Sequence, residues 1–356
     1  MTSLERTPGG SLVAGVDVGG TKVAALVVDA DGATLGRAER AMTGRSGAAG
    51  IEPVLGAVRA ALDAAGATDR DLSAIGVGVP GRVDPVSGVV GLATNLGWRD
   101  MPLARLVEAE FGVKCAVEND VHLAAAGLVG HDVAGGAQSL AYVAVGTGIG
   151  AGLVLDGRLH RGGRGMAGEI GHVVVEPTGV ACRCGQHGCL ETVASGPAVA
   201  RQAAEAVAGG AESSLRDVPH IDAKAVFDAA RAGDPLAGRV VAAAGEALAR
   251  AIAGLVLTCD VECVLLGGGV AAAGDVFLQP ILAELERLRS GSALVSELLP
   301  VGTVRLLPAH FDAVAWGGVA LALRARGSAR ASPVGGRAGT RPVAVVEEVV
   351  AREPLT

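Results

Sequence analysis

The chain has 356 residues, of which 50% are hydrophobic, 2% are aromatic and 55 are glycine, and its formal net charge is −7. This length suffices for two or three domain-sized units, and the small apolar residues and glycines suit an α/β protein. The acidic balance argues against nucleic acid as a partner. The chain has neither a signal peptide pattern nor an uninterrupted apolar run long enough to span a bilayer, so we expect a cytoplasmic protein that does not bind a membrane.

The first part of the chain predicts the element order β-β-β-α-β-α-β. Strands are expected at 12–18, 23–29, 34–41, 75–79 and 113–117, and helices at 50–66 and 103–111. The pair Asp31-Gly32 is a strong hairpin signal between the second and third strands.

A comparable order restarts near residue 139. Strands are expected at 139–145, 151–155, 263–266 and 304–308, and helices at 237–259, 275–288 and 313–325. Because each half opens with a hairpin and a glycine turn, we predict duplicated α/β domains around a cleft. The residues after 326 are rich in Gly, Arg, Pro, Val and Glu and predict a disordered tail over 327–356.

The first chemical motif is the segment Asp17-Val18-Gly19-Gly20-Thr21-Lys22, between two strands. Glycines let backbone N–H groups approach phosphate oxygens, Thr21 adds a hydroxyl donor, and Asp17 is a suitable ligand for Mg²⁺. The alternative is an ordinary hairpin with Gly-Gly in its turn.

Two further glycine turns lie in the second half. Gly146-Thr147-Gly148-Ile149-Gly150 repeats the strand–turn–strand setting, and Gly267-Gly268-Gly269 follows a buried strand and precedes a helix. The first predicts a second phosphate contact. The second suits an adenosine lying close to the backbone, with a tight strand-to-helix turn as the alternative. The turn at 146–150 matches neither the P-loop nor the dinucleotide-binding pattern.

A polar triplet, Glu118-Asn119-Asp120, follows the strand at 113–117. Polar residues at the end of a buried strand are well placed for ligands. Asn119 is suited to bind sugar hydroxyls, and Asp120 to accept the proton of an attacking hydroxyl. The alternative is an Asn-Asp cap of the following helix.

The most specific motif is a cysteine cluster that follows Glu169-Ile170-Gly171-His172. The cysteines are Cys182, Cys184 and Cys189, and Glu191 comes soon after them. One histidine and three cysteines form a closed tetrahedral set for structural Zn²⁺. His172 is the expected fourth ligand, and His187 is the alternative. The metal would fix the loop that carries Glu169 and Glu191 toward a sugar.

Together these motifs resemble the ROK family (repressors, uncharacterised open reading frames and sugar kinases) over about residues 13–327. The best match looks like the zinc-containing bacterial glucokinases. The resemblance is carried by Asp17-x-Gly-Gly-Thr-Lys22, Glu118-Asn119-Asp120, the segment 145–165, Glu169-x-x-His172 and the Cys-x-Cys-Gly-x-x-Gly-Cys-x-Glu191 motif. The segments Pro80-Gly81 and 94–98 resemble the sugar-side loops of the family.

The resemblance implies a two-lobed actin-like ATPase (ribonuclease H-like) fold, a homodimer or homotetramer, and transfer of phosphate from ATP to the 6-hydroxyl of glucose. Another hexose, namely N-acetylmannosamine, N-acetylglucosamine or fructose, is the first alternative acceptor. A sugar-sensing repressor is a remote alternative, because the segment before Asp17 is too short for a helix-turn-helix domain.

We therefore expect a smaller N-terminal domain at 12–121, onto which a final helix at 313–326 packs, and a larger domain with the zinc-bound loop at 122–312. The expected sugar-binding residues are Pro80, Gly81, Asn95, Asn119, Asp120, Glu169, His172 and Glu191. The residues expected to bind ATP and Mg²⁺ are Asp17, Gly19, Gly20, Thr21, Lys22, Gly146, Thr147, Gly148, Gly267, Gly268 and Gly269.

Overall fold

A computed structural model describes residues 10–43, 50–129, 132–309 and 311–330. The elements up to residue 129 are β1 (Leu12–Val18), β2 (Lys22–Val28), β3 (Thr34–Ala41), α1 (Glu52–Ala64), β4 (Leu72–Val79), β5 (Arg82–Asp84), β6 (Val89–Ala93), β7 (Trp98–Met101), α2 (Leu103–Phe111), β8 (Lys114–Asn119) and α3 (Asp120–Leu128). The later elements are β9 (Leu140–Val145), β10 (Ile149–Leu155), β11 (Arg158–His160), α4 (Leu190–Ala194), α5 (Gly196–Ala208), α6 (Ala223–Arg231), α7 (Pro235–Cys259), β12 (Cys263–Gly267), α8 (Asp275–Gly291), α9 (Ala293–Leu298), β13 (Val304–Leu306) and α10 (Ala313–Arg330).

The chain forms two compact units. The first contains the described residues up to Gln138, the segment Asp156–Met166 and the described residues from Asp312 onward. The second contains Ser139–Leu155 and Ala167–Phe311. Both are α/β units, in which strands contribute buried apolar residues and helices cover them.

The first unit is built on a sheet of strand order β3-β2-β1-β4-β8. β1 and β2 form an antiparallel hairpin, while β4 lies parallel to both β1 and β8. A smaller antiparallel sheet contains β5, β6 and β7. The carboxyl ends of β1, β4 and β8 therefore lie at one edge of the main sheet, which is the usual place for a ligand in such sheets.

The terminal helix α10 packs against β1, β4 and α3. Its close approach to the sheet requires glycine on both strands. A Cβ atom on Gly15 would lie 2.0 Å from the carbonyl oxygen of Ala315, and one on Gly76 would lie 2.0 Å from that of Gly318. These contacts exclude a larger residue at either strand position.

The second unit contains a sheet with the strand order β10-β9-β12-β13. β9 and β10 form an antiparallel hairpin, and β12 runs parallel to β9 and β13. The long helix α7 packs against α4, α5, α6 and α8. By length and composition, α7 is apolar enough to cross a membrane, but 61% of its most apolar window is buried in the protein. It is thus a core helix here.

The structure differs from the sequence-based expectations in three places. The first unit extends to Gln138 rather than ending at residue 121, because α3 packs on α10, and the segment Asp156–Met166 joins that unit too. The sequence patterns missed the sheet of β5, β6 and β7 and the helices between 190 and 231. Residues 327–330 continue α10 rather than starting a tail, and the rest of the predicted tail lies outside the described residues.

Candidate functional site

The first glycine turn connects β1 and β2 in the first unit. The amide of Gly19 donates to the carbonyl oxygen of Lys22 over 2.9 Å, which closes the hairpin. Neither Gly19 nor Gly20 has a positive φ, so these glycines are not required by backbone conformation. A Cβ on Gly20 would make an ordinary contact, 3.6 Å from the Cβ of Asn95, whereas one on Gly19 would lie a tighter 3.1 Å from the carbonyl oxygen of Lys22. The predicted phosphate turn and the predicted sugar loop thus lie side by side.

The other two residues of this turn, Thr21 and Lys22, are exposed to solvent. The carbonyl oxygen of Thr21 accepts from the amide of Met42 over 2.8 Å. The ammonium of Lys22 donates to Glu39 over 2.6 Å, and both side chains are more than half exposed. A role of Lys22 toward phosphate therefore stays a prediction.

Three aspartates, Asp17, Asp120 and Asp312, lie close enough at the carboxyl edge of the first sheet for their charges to interact. Burial, followed by the charges of Asp312 and Asp120, raises the pKa of Asp17 to about 8. Asp17 is partly accessible to solvent, yet surrounding protein atoms remove most of its hydration. Such a carboxylate gains from a cation beside it, so the donor set fits Mg²⁺. Asp312 was not identified from the sequence.

Asn119 and Asp120 lie where β8 runs into α3. The Asn119 side chain caps the helix, since its oxygen accepts from the amides of Val121 and His122 over 3.0 and 3.1 Å. Its Nδ2 donates to the carbonyl oxygen of Gly81 over 3.1 Å. The helix-cap interpretation of Asn119 is therefore correct. It leaves one Nδ2 hydrogen for a ligand, so sugar binding by Asn119 stays a prediction.

The loop after β4 needs glycine at one position. Gly81 has a φ of 95°, and a Cβ there would lie 2.1 Å from the carbonyl oxygen of Leu92. Pro80 precedes it, directly after β4. The conformation of Gly81 thus places its carbonyl oxygen where the Asn119 side chain donates to it.

A buried glutamate, Glu118, pairs with the partly exposed Arg161 next to the predicted base. Glu118 is 3% exposed; one of its oxygens accepts from the amide of Asn119 over 3.0 Å, and the other accepts from Nε of Arg161 over 2.6 Å. Burial opposes ionisation, but His122 and Arg161 hold the pKa of Glu118 below its ordinary value. The role of Arg161 was not identified from the sequence, because it is 43 residues away in the chain.

The second glycine turn connects β9 and β10 in the second unit. The amide of Gly146 donates to the carbonyl oxygen of Gly148 over 2.9 Å. A Cβ on Gly148 would lie 2.6 Å from Oε2 of Glu191, and that oxygen accepts from the amide of Ile149 over 3.2 Å. Thr147 lies at the tip of the turn and lines a cavity.

The third glycine turn lies beside the second one. A Cβ on Gly146 would be 3.8 Å from the amide nitrogen of Gly269. Gly268 has a φ of 87°, and a Cβ on Gly267 would lie 2.5 Å from the hydroxyl of Tyr142. Gly269 has open space on its Cβ side. The predicted phosphate and adenosine turns are therefore neighbours in the second unit.

A cavity of about 830 Å³ adjoins these two turns. Its walls are mostly apolar, and the charges of Lys224 and Arg231, which both pair with Asp228, are balanced by those of Asp222 and Asp228. Its lining also includes Gly146, Thr147, Gly269, Pro197, Phe227 and Asp228. The volume and the mixed lining are typical of small-molecule sites. The α6 residues were missed because a short amphipathic helix gives no ligand signal in sequence.

The metal-ligand cluster contains His172, Cys182, Cys184 and Cys189, whose ligand atoms all lie within 4.8 Å of one another. The sulfurs of Cys184 and Cys189 are 3.6 Å apart, and the Cys182 sulfur is 3.7 Å from Nδ1 of His172. Tetrahedral zinc with Zn–S bonds of about 2.3 Å separates neighbouring sulfurs by about 3.8 Å. The residues therefore fit zinc, and His172 completes the group rather than His187.

The two glutamates that flank the cluster have different surroundings. Glu169 is exposed, and its carboxylate is 4.0 Å from Nε2 of His172. The side chain of Glu191 is 16% exposed and lies 3.8 Å from Arg183. Sugar binding by either residue stays a prediction, and the structure gives Glu191 a contact with the second turn that the sequence did not reveal.

The likeness to known proteins agrees with this arrangement. The ROK family matches residues 13–322. The chain belongs to the ROK family. It is 39% identical to the glucokinase of Halalkalibacterium halodurans, over 76% of this chain and 84% of that protein. It is 35% identical to the N-acetylmannosamine kinase of Yersinia pseudotuberculosis, over 77% and 88% of the two chains.

Among solved structures, the chain resembles a ROK family glucokinase from Streptomyces griseus in complex with glucose and AMPPNP. The TM-score is 0.74 at 33% identity, and the match covers 88% of this chain and 99% of that chain. The expected family and the two-lobed actin-like fold are confirmed by this similarity.

Proposed function

We propose that this ROK protein is an ATP-dependent glucokinase that phosphorylates the 6-hydroxyl of glucose. The observation that carries the proposal is that the two units provide different kinds of functional group. Acidic side chains cluster at the sheet edge of the first unit, and a glycine turn adjoins a cavity in the second. The likeness to a glucokinase with glucose and AMPPNP bound supports both assignments.

The nucleotide is proposed to bind at the two neighbouring glycine turns of the second unit. Backbone amides there would contact phosphate oxygens, and the apolar wall at Phe227 would face the adenosine. This lining favours a nucleoside triphosphate over polyphosphate, which has no apolar part. Asp17 would hold Mg²⁺, which neutralises charge on the phosphates during transfer.

Asp120 is proposed as the general base. The buried Glu118 fixes the amide of Asn119, so the start of α3 presents the Asp120 carboxylate from a rigid position. There it would orient the 6-hydroxyl of glucose and accept its proton as the phosphate transfers. Positioning supplies most of the acceleration in such a reaction.

Zinc is proposed as a structural ion. All four positions of a tetrahedral shell are supplied by protein, which leaves none for an activated water. The ion would fix Glu169 and Glu191, through which it would support sugar binding.

A homodimer or homotetramer is also proposed, and α7 offers a surface for it. A groove of about 680 Å³ is lined by Ala243, Ala247, Ala251 and Gly254 of this helix and by Val173. Val173 and Leu257 expose 51% and 42% of their surface. The molar mass in solution, measured by light scattering, tests this; Gly254→Arg, at an exposed position with open space on its Cβ side, would release monomers if the groove is the interface.

The experiment that tests the function is a coupled assay across glucose, N-acetylmannosamine, N-acetylglucosamine and fructose, each with ATP and with polyphosphate. We expect the highest kcat/KM for glucose with ATP. N-Acetylmannosamine is the second candidate, because a kinase for that sugar is 35% identical to this chain. A preference for that sugar would replace glucose as acceptor, and no phosphorylation of any hexose would overturn the kinase assignment.

A further inference from the structure

The second glycine turn is hydrogen-bonded at both ends to a single short segment. At one end, Oε2 of Glu191 accepts from the amide of Ile149 over 3.2 Å. At the other end, the amide of Gly196 donates to the carbonyl oxygen of Gly146 over 2.8 Å. The two contacts come from residues 191 and 196, and they hold the strand ends on either side of Thr147.

This segment begins at a member of the metal-ligand cluster. Cys189 directly precedes α4, and Glu191 lies in the first turn of that helix. α4 ends at Ala194, and the following Ser195 is 3% exposed and caps α5 by accepting from the amide of Ala198 over 3.3 Å. One short helix and its capped successor thus lead from the cysteine cluster to the turn.

The Glu191 carboxylate fills the space that glycine leaves at residue 148. A Cβ on Gly148 would lie 2.6 Å from Oε2 of Glu191. Arg183, which lies between two of the cluster cysteines in the chain, is 3.8 Å from the other carboxylate oxygen and partly balances its charge. The Glu191 carboxylate therefore contacts the turn in two ways: it accepts from the Ile149 amide, and it packs against Gly148.

We propose that Glu191 is a positioning residue for the phosphate turn at 146–149, so that the cysteine cluster supports nucleotide binding as well as sugar binding. The inference rests on the proposed function, in which this turn binds the phosphates of ATP. When both ends of the turn are fixed, its amides lose less conformational entropy on binding phosphate. The affinity for the nucleotide is therefore higher.

The test measures affinity for AMPPNP by calorimetry in the absence of sugar, so that turnover and sugar contacts play no part. Glu191→Ala removes the acceptor for the Ile149 amide, and we expect its Kd for AMPPNP to rise by about three- to tenfold, since a hydrogen bond contributes about 0.5–1.5 kcal/mol. Glu191→Gln retains an acceptor oxygen and carries no charge to repel phosphate, so it should restore wild-type affinity or exceed it.

Glu169→Ala is the matched control. Glu169 also flanks the cluster and is a predicted sugar ligand, but it is exposed, and its carboxylate lies beside His172 rather than beside the turn. The variant should weaken glucose binding and leave AMPPNP binding unchanged. Gly148→Ala gives a second route, because its methyl group would displace the Glu191 carboxylate from the Ile149 amide and should weaken AMPPNP binding as Glu191→Ala does.

Removal of zinc from the purified protein with a chelator extends the test to the cluster. We expect the metal-depleted protein to bind AMPPNP more weakly in the absence of sugar. Unchanged AMPPNP affinity in Glu191→Ala, with glucose affinity reduced, would overturn the inference while leaving the glucokinase proposal intact. If the wild-type protein binds neither AMPPNP nor ATP, the proposed function itself fails.

Discussion

The two hairpin turns of this protein have the same outline and different chemistry. At the turn after β1, the residues that matter are side chains: Asp17 lies among the charges of Asp120 and Asp312. At the turn after β9, the backbone itself is exposed to the cavity, and glycine keeps it so. The first unit is thus suited to protons and cations, and the second to phosphate oxygens.

This difference teaches how each unit tolerates change. A site made from side chains is abolished by removing one functional group, even where the shape is kept. A site made from backbone amides is insensitive to many side-chain changes and is damaged by added atoms. Substitutions at the two turns should therefore differ in kind, and the largest effect is expected at the predicted base.

Asp120→Asn should abolish turnover while the fold and glucose affinity persist. The amide keeps the shape and the hydrogen bond to the Val121 amide but does not accept a proton. A general base contributes about 10²–10⁴-fold, so kcat should fall by at least that factor. Steady-state kinetics and calorimetry with glucose measure both parts. A kcat within threefold of the wild type would remove Asp120 from the mechanism.

Gly148→Val should raise KM for ATP by about tenfold or more and leave KM for glucose less affected. Its Cβ would displace the Glu191 carboxylate, and its methyl groups would extend toward the phosphate position; overpacking of this kind typically costs about 1–3 kcal/mol. Gly238→Ala is the control, since its Cβ would have open space. If Gly148→Val and the control have equal KM values for ATP, the turn is an ordinary hairpin that does not bind phosphate.

Asp17→Asn should change how the thermal stability of the protein depends on pH. Because the pKa of Asp17 is raised to about 8, the folded protein keeps a proton that the unfolded chain loses above about pH 4. Folding stability contributed by this group therefore falls as pH rises from about 4 to 8. The variant lacks this loss, so without added magnesium its Tm should exceed that of the wild type more at pH 8.5 than at pH 5.5.

The expected difference is roughly 1 kcal/mol or more, or about 2–4 °C. The same Tm difference at both pH values would contradict the acidic cluster. Loss of ATP turnover in Asp17→Asn, at normal glucose affinity, would support the magnesium role separately.

Glu39→Gln should have the smallest effect. Glu39 pairs with Lys22 beside the first turn, but both side chains are more than half exposed, and solvent screens such pairs. Chemical denaturation should show a loss of about 0.2–1 kcal/mol, the range typical of exposed pairs. A loss several times larger would mean that this pair supports the turn, as Glu191 is proposed to do in the second unit.

The features that the sequence predicted well are those that a local pattern encodes. Glycine turns, strand ends and the Cys-x-Cys spacing are local patterns, so the turns and the cysteine cluster were predicted at the positions where the structure has them. His172 was found because it follows Glu169 in a short motif, and the cluster contains it.

The contacts that were missed all join distant parts of the chain. Arg161 reaches Glu118, and Asp312 adds its charge near Asp17, through packing that no local spacing encodes. The helix α3 was placed in the other domain for the same reason, because its contact with α10 joins elements that lie far apart in the chain. Asn119 shows the reverse case, in which the local helix-cap pattern was correct.

The most direct test of the proposed function is a competition experiment. Equal concentrations of glucose and N-acetylmannosamine are incubated with the enzyme, magnesium and a limiting amount of ATP, and the products are identified by NMR. We predict glucose 6-phosphate as the main phosphorylated sugar, formed in the same amount as ADP. Phosphate mainly on N-acetylmannosamine, or on another position of glucose, would contradict the assignment of this protein as a glucokinase.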